Sequence, residues 1–71
     1  MTATAENIEA LKELGFNEFK KGKFIYMDLR AYIFQDYIFF KYDGRDLPLI
    51  DKIESIKKII EGIYEYKQSL A

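Results

Sequence analysis

Residues 23–42 read KFIYMDLRAYIFQDYIFFKY and contain eight of the chain's twelve aromatic residues. From residue 25 the odd positions of the first half are all apolar: Ile25, Met27, Leu29, Ala31 and Ile33. The even positions mix aromatic with charged side chains: Phe24, Tyr26, Asp28, Arg30, Tyr32 and Phe34. Because successive side chains of a strand point to opposite faces, this alternation predicts a half-buried antiparallel strand.

The second half of this stretch predicts a partner strand. A two-residue turn at Gln35–Asp36 would pair Phe34 with Tyr37 and Leu29 with Tyr42. In that register the apolar positions share one face and the aromatic pairs share the other, whereas a slip of one residue would mix them. The sequence also allows a break near 28–30 that divides the first strand into two shorter ones.

The residues before this stretch predict a helix and a short strand. A helix from Ala5 to Leu14 has Thr4 as its N-cap and Gly15 just after its end, and residues 1–4 are expected to be frayed. A short strand over 16–20 would then turn at Lys21–Gly22. A two-residue loop there puts Phe19 opposite Phe24, and a three-residue loop reverses the parity, so the register stays open.

The C-terminal third predicts a long helix from Pro48 to Ser69, with Asp46 as a candidate cap. Its apolar residues step by four, three, four and three: Leu49, Ile53, Ile56, Ile60 and Ile63. The final turns are expected to extend past the sheet. The predicted fold is therefore an α+β domain with a helix, a three-stranded antiparallel meander and a long C-terminal helix.

Composition excludes several classes of function. The 71 residues allow one small domain and include neither cysteine nor histidine. Disulfides, thiolate metal sites and the most frequent catalytic bases are therefore impossible, and caps and turns account for the acidic residues. We expect no catalysis, no metal and no cofactor. Since no apolar run is long enough for a signal peptide or a membrane span, we expect a cytoplasmic protein, or one of the host cytoplasm if phage-encoded.

The aromatic residues predict an interface for another protein chain. A large exposed aromatic face is unfavourable in water unless a partner covers it, and the small core favours self-association into a homodimer. The candidate interface residues are Phe24, Tyr26, Tyr32, Phe34, Tyr37, Phe39, Tyr64 and Tyr66. In the alternative interpretation, the protein's own helices cover these rings. The profile of a small binding domain without cofactors is similar to that of phage or mobile-element inhibitors of a host protein.

A second function hypothesis is single-stranded nucleic-acid binding. Residues 19–24 read FKKGKF and interleave aromatic rings with Lys20, Lys21 and Lys23. Rings on a sheet can stack on bases while lysines contact phosphates. The net charge of −1 favours a simpler explanation, in which the lysines protect an edge strand from aggregation.

Overall fold

The computed structural model describes residues 1–70 and shows two helices and one antiparallel sheet. The helices are α1 (Ala5–Leu14) and α2 (Ile53–Ser69). The strands, which lie in the sheet in chain order, are β1 (Asn17–Lys20), β2 (Lys23–Tyr26), β3 (Leu29–Phe34), β4 (Tyr37–Tyr42) and β5 (Arg45–Asp46). The prediction of an α+β domain with a meander between two helices is confirmed, but the prediction of three strands is wrong, because this part of the chain forms five.

The predicted pairing of β3 with β4 is confirmed residue by residue. The register runs from Phe34 opposite Tyr37 to Leu29 opposite Tyr42. Ala31 therefore faces Phe40 on one side of the sheet, and Tyr32 faces Phe39 on the other.

The first predicted strand is divided in two by a turn at Met27 and Asp28. Tyr26 pairs with Leu29 across this turn, and Phe24 pairs with Ala31. A two-residue hairpin places residues of opposite parity on the same face, so Phe24 and Tyr26 share the face of Leu29 and Ala31. The expectation that these two rings lie beside Tyr32 is therefore wrong.

Both helices pack on this same face, which we call the covered face. Leu11 of α1 and Ile56 of α2 are fully buried in one cluster with the covered-face side chains of the sheet. The small Ala31 lies between two large rings across the strands, Phe24 and Phe40, and all three are at most 3% exposed. This alternation of large and small side chains fills the layer under the helices.

The predicted ends of α1 are confirmed. The Thr4 hydroxyl accepts a hydrogen bond from the Asn7 amide. After the helix, Gly15 takes φ 115°, its amide donates to the Lys12 carbonyl, and the Phe16 amide donates to the Leu11 carbonyl. These two bonds form a Schellman motif, and Phe16 packs back into the core with 2% exposure.

The expectation that residues 1–4 are frayed is wrong. The Met1 side chain is 1% exposed, and Thr2 forms an antiparallel bridge with Tyr37 at the outer edge of β4. The Met1 carbonyl accepts from the Ile38 amide. Since β5 pairs with the other end of β4, this edge of the sheet is protected along its length.

The predicted start of the second helix is wrong. Asp46 belongs to β5, and the chain from 47 to 52 is irregular, with Ile50 buried against the sheet. α2 begins at Ile53 after Lys52, which makes no side-chain capping bond. Near the C-terminal end of α2, Nζ of Lys67 lies 2.8 Å from Oδ2 of Asp28 in the β2–β3 turn. Among residues 1–70, no helix has the length and apolar content needed to cross a membrane.

Substituting Gly15 tests the junction between α1 and the sheet. A Cβ at Gly15 would lie 3.2 Å from Cε1 of Tyr26, on a backbone with positive φ. We expect Gly15→Ala to lower the free energy of unfolding by about 1–3 kcal/mol, measured by urea denaturation. Gly62→Ala is the control: it lies within α2 with open space around it, so it should stabilise by about 0.5–1 kcal/mol. Equal effects would contradict the described junction.

Enlarging Ala31 tests the packing of the central row. Ala31→Leu would force extra methyl groups between Phe24 and Phe40, and we expect a loss of about 1–3 kcal/mol in urea denaturation. The matched control is Ala5→Leu, at an exposed position in the first turn of α1, which should change stability by less than ~0.5 kcal/mol. An unchanged free energy of unfolding in Ala31→Leu would show that the space between Phe24 and Phe40 is loosely packed.

Candidate binding face of the sheet

The side of the sheet opposite the helices is exposed to solvent, and we call it the open face. No described helix packs on it, because both contribute their apolar residues to the cluster on the covered face. The strand register, together with the position of the Phe19 ring, gives the open face these residues: Asn17, Phe19, Lys20, Lys23, Ile25, Arg30, Tyr32, Phe34, Tyr37, Phe39, Lys41 and Asp46.

One end of the open face is aromatic and uncharged. This aromatic end, beside the β3–β4 turn, consists of Tyr32, Phe34, Tyr37 and Phe39. Phe34 is 65% exposed and Phe39 42% exposed. The rings of Tyr37 and Phe39 meet edge to face with centroids 5.4 Å apart. Exposed rings in direct contact form a continuous apolar patch, the type of surface that another molecule covers in a complex.

Tyr37 is held in place from outside the sheet. Its hydroxyl donates a 2.7 Å hydrogen bond to Oδ1 of Asp51, in the segment before α2. The same carboxylate oxygen lies 3.8 Å from the Met1 amino group. The hydrogen bond to Asp51 raises the pKa of Tyr37 above its ordinary value, and desolvation and the carboxylate's charge act in the same direction. The hydrogen bond therefore fixes the orientation of the Tyr37 ring.

The rest of the open face, which adjoins the aromatic end across β2 and β1 and continues along β3 and β4, is basic. This basic end consists of Phe19, Lys20, Lys23, Arg30 and Lys41. The Arg30 guanidinium lies 5.7 Å from the centroid of the Phe19 ring, and Lys23 Nζ lies 6.0 Å from the centroid of the Tyr32 ring. Both distances are within the range of cation–π attraction.

The charge of the open face differs from that of the whole chain. Four of the eleven basic residues lie on it, but only one of the twelve acidic residues does, Asp46. Asp46 lies 3.6 Å from Lys41 and offsets that one cation. The strand residues of the face therefore carry a net positive charge, although the protein's net charge is −1 and Asp28 and Asp43 lie in the bordering turns.

A shallow concavity of ≈ 460 Å³ lies at the basic end. Ile25, Arg30, Tyr32 and Lys41 line it, and the turns Met27–Asp28 and Asp43–Gly44 form its rim, so that two carboxylates lie beside the two cations.

The structure brings together only part of the predicted interface. Four of its eight residues form the aromatic end. Phe24 is buried and Tyr26 packs against the core, so we no longer assign either of them to an interface. Tyr64 and Tyr66 are exposed at 56% and 60%, but they lie on α2, which packs on the covered face.

The structure places only two of the three predicted lysines on the open face. Lys20 and Lys23 lie on the open face, whereas Lys21 lies in the turn between β1 and β2. Sequence reasoning did not include Arg30 and Lys41 in the site. Their positions were nevertheless predictable, because the correct β3–β4 register already paired them.

No protein-family model, curated protein or solved structure matches this chain. Among residues 1–70, no group of three or more histidine, cysteine, aspartate or glutamate side chains is arranged to hold a metal ion. The arguments for function therefore depend on the open face itself.

The Tyr37–Asp51 hydrogen bond predicts a pH effect. The pKa of the Tyr37 hydroxyl is raised in the folded protein above the unfolded value of 10. The hydrogen bond therefore stabilises the fold fully below pH 10, and this stabilisation disappears as the pH rises through the folded pKa. In a spectrophotometric titration of phenolate, one tyrosine should ionise late, and Asp51→Asn should make it ionise at lower pH. Glu9→Gln, on the exposed side of α1, is the control and should leave the titration unchanged. An unaltered curve in Asp51→Asn would contradict the bond.

Proposed function

We propose that this protein is a non-catalytic protein-binding domain that acts through the aromatic end of the open face, and that the first occupant of this end is a second copy of the chain. The observation that supports the proposal is the placement of both helices on one face, which leaves four neighbouring rings uncovered by either helix, with Phe34 and Phe39 exposed and Tyr32 and Tyr37 half-buried. Tyrosine and phenylalanine are enriched at the centres of protein interfaces.

The charge distribution restricts how two copies can meet. Full overlap of two open faces along parallel strands would place the basic end of one copy on that of the other, which repulsion disfavours. A two-fold arrangement with antiparallel strands, centred on the aromatic ends, keeps Arg30 and Lys41 of the two copies apart and leaves Lys23 at the margin of the contact. Such an interface is isologous, so Phe34 and Phe39 of each copy contact the same patch of its partner.

The size of the patch sets the expected affinity. The four rings expose on the order of 300 Å² together, given side-chain areas of ~150–250 Å² and their partial burial. A standard interface buries ~800 Å² per partner. The rings alone therefore support a weak, concentration-dependent dimer, and a larger partner protein would use the same rings as its central contact. Inhibition of a host protein, the role suggested by the sequence profile, would be one example of binding to such a larger partner.

Analytical ultracentrifugation over a broad concentration range tests self-association. We expect the weight-average mass to rise above that of the 8.4 kDa monomer as concentration increases. Phe34→Ser should shift the association to higher concentration at least tenfold, because it removes the most exposed ring of the patch. Circular dichroism should be unchanged, since Phe34 is outside the core.

Tyr64→Ser is the matched control for this experiment. It also removes an exposed ring, but from α2 rather than from the open face, and it should leave association unchanged. A monomer at every concentration would contradict self-association. Equal effects of the two substitutions would contradict the assignment of the contact to the aromatic end.

A further inference from the structure

We infer that the basic end of the open face binds single-stranded nucleic acid, with Phe19 and Tyr32 as stacking rings and Lys20, Lys23 and Arg30 as phosphate contacts. The inference concerns the neighbouring part of the face and shares one residue, Tyr32, with the proposed protein contact. It also differs from the binding site expected from residues 19–24, because Phe24 lies in the core and Arg30 joins from β3.

The rings at this end are accessible and have cations as neighbours. Phe19 lies on the edge strand and is 45% exposed, and the Arg30 guanidinium lies beside its ring. Lys23 pairs directly with Tyr32 across β2 and β3 and lies beside its ring. Proteins that bind single strands without sequence preference combine such rings, which stack on bases, with a positive surface that follows the backbone.

The β1 edge of the sheet leaves room for a nucleic-acid strand to pass. β1 is exposed at all four of its residues, and a bulge between Glu18 and Lys20 interrupts its pairing with β2. The opposite edge, on β4, is occupied by Thr2 and β5. A polynucleotide can therefore approach the basic end across β1 without displacing any described element.

Charge complementarity alone would also admit an acidic peptide, but the rings favour nucleic acid. The faces of aromatic rings carry partial negative charge, so a carboxylate beside Phe19 or Tyr32 gains little from them. A base offers a flat π surface to the ring while its phosphate reaches the neighbouring lysine or arginine. A duplex keeps its bases stacked internally, which leaves these rings without a partner.

The number of unpaired cations predicts the dependence on salt. Lys20, Lys23 and Arg30 have no ion-pair partner among residues 1–70, whereas Lys41 is paired with Asp46. Three phosphate contacts to a single strand give a slope of log affinity against log salt of about −2. Raising the salt concentration from ~50 to ~200 mM should therefore weaken binding roughly 20-fold.

Fluorescence anisotropy of labelled twelve-residue oligo-dT and oligo-U, with the full chain at ~50 mM salt, tests the inference. We expect saturable binding of at least one of them that follows this salt dependence. The double substitution Lys23→Glu/Arg30→Glu should weaken binding more than tenfold. Phe19→Ala should weaken it at least fivefold, through the loss of one stacked base.

The control variant is Lys57→Glu/Lys58→Glu, which makes the same charge change at two exposed positions on α2. It should retain binding, and circular dichroism should confirm that every variant is folded. Phe34→Ser should also retain it, so failure of the protein-binding proposal and failure of this inference are distinguishable. Two competitors, an unlabelled duplex and poly-glutamate, should displace the oligonucleotide poorly.

Several results would overturn the inference. One is the absence of saturation by either oligonucleotide up to ~100 µM protein, the weak limit of non-specific binding. Another is equal loss of binding in the α2 control variant and in Lys23→Glu/Arg30→Glu. Equally effective competition by poly-glutamate would assign the basic end to acidic protein segments instead, and equally effective competition by the duplex would remove the role of the rings.

Discussion

The turn at Met27 and Asp28 determines what each face of this protein can do. By reversing the chain after Tyr26, it sends Phe24 to the side of Ala31 and Phe40, where the ring completes the layer under both helices. The same reversal sends Ile25 and Lys23 to the opposite side, beside Arg30 and Tyr32. Without it, the small core would lose the buried ring of Phe24, and the open face would have two more aromatic residues and would lose Lys23.

The two faces illustrate how a short chain distributes its apolar residues. Below about 80 residues, a single core supplies little stability, and this chain has no disulfide to add. The helices α1 and α2 use their buried residues on one face, so the rings of the other face cannot all be buried within the same chain. An exposed aromatic end is therefore a consequence of the topology. The neighbouring cations give the face two regions of different chemistry, on which the two proposed contacts are based.

The sequence predicted those elements whose local signals agree. The caps of α1 and the register of β3 with β4 follow from Thr4, Gly15 and the alternation around Gln35–Asp36. The turn at Met27 was only an open alternative, because residues 24–27 are all apolar or aromatic and hydropathy cannot define their parity. Met27 also adopts φ 56°, which is uncommon for a residue other than glycine, asparagine or aspartate. The pairing of Thr2 and the start of α2 depend on contacts between distant parts of the chain, which local patterns do not contain.

The most direct test of this account measures which rings are open to solvent. In dilute solution, a soluble paramagnetic chelate broadens the NMR signals of protons at the protein surface. The account predicts strong broadening for the ring protons of Phe34 and Phe39 and little for those of Phe24 and Phe40, whose exposures are 65%, 42%, 1% and 3%. Strong broadening at Phe24, together with protection of Phe39, would show that the sheet presents the opposite face and would contradict the account.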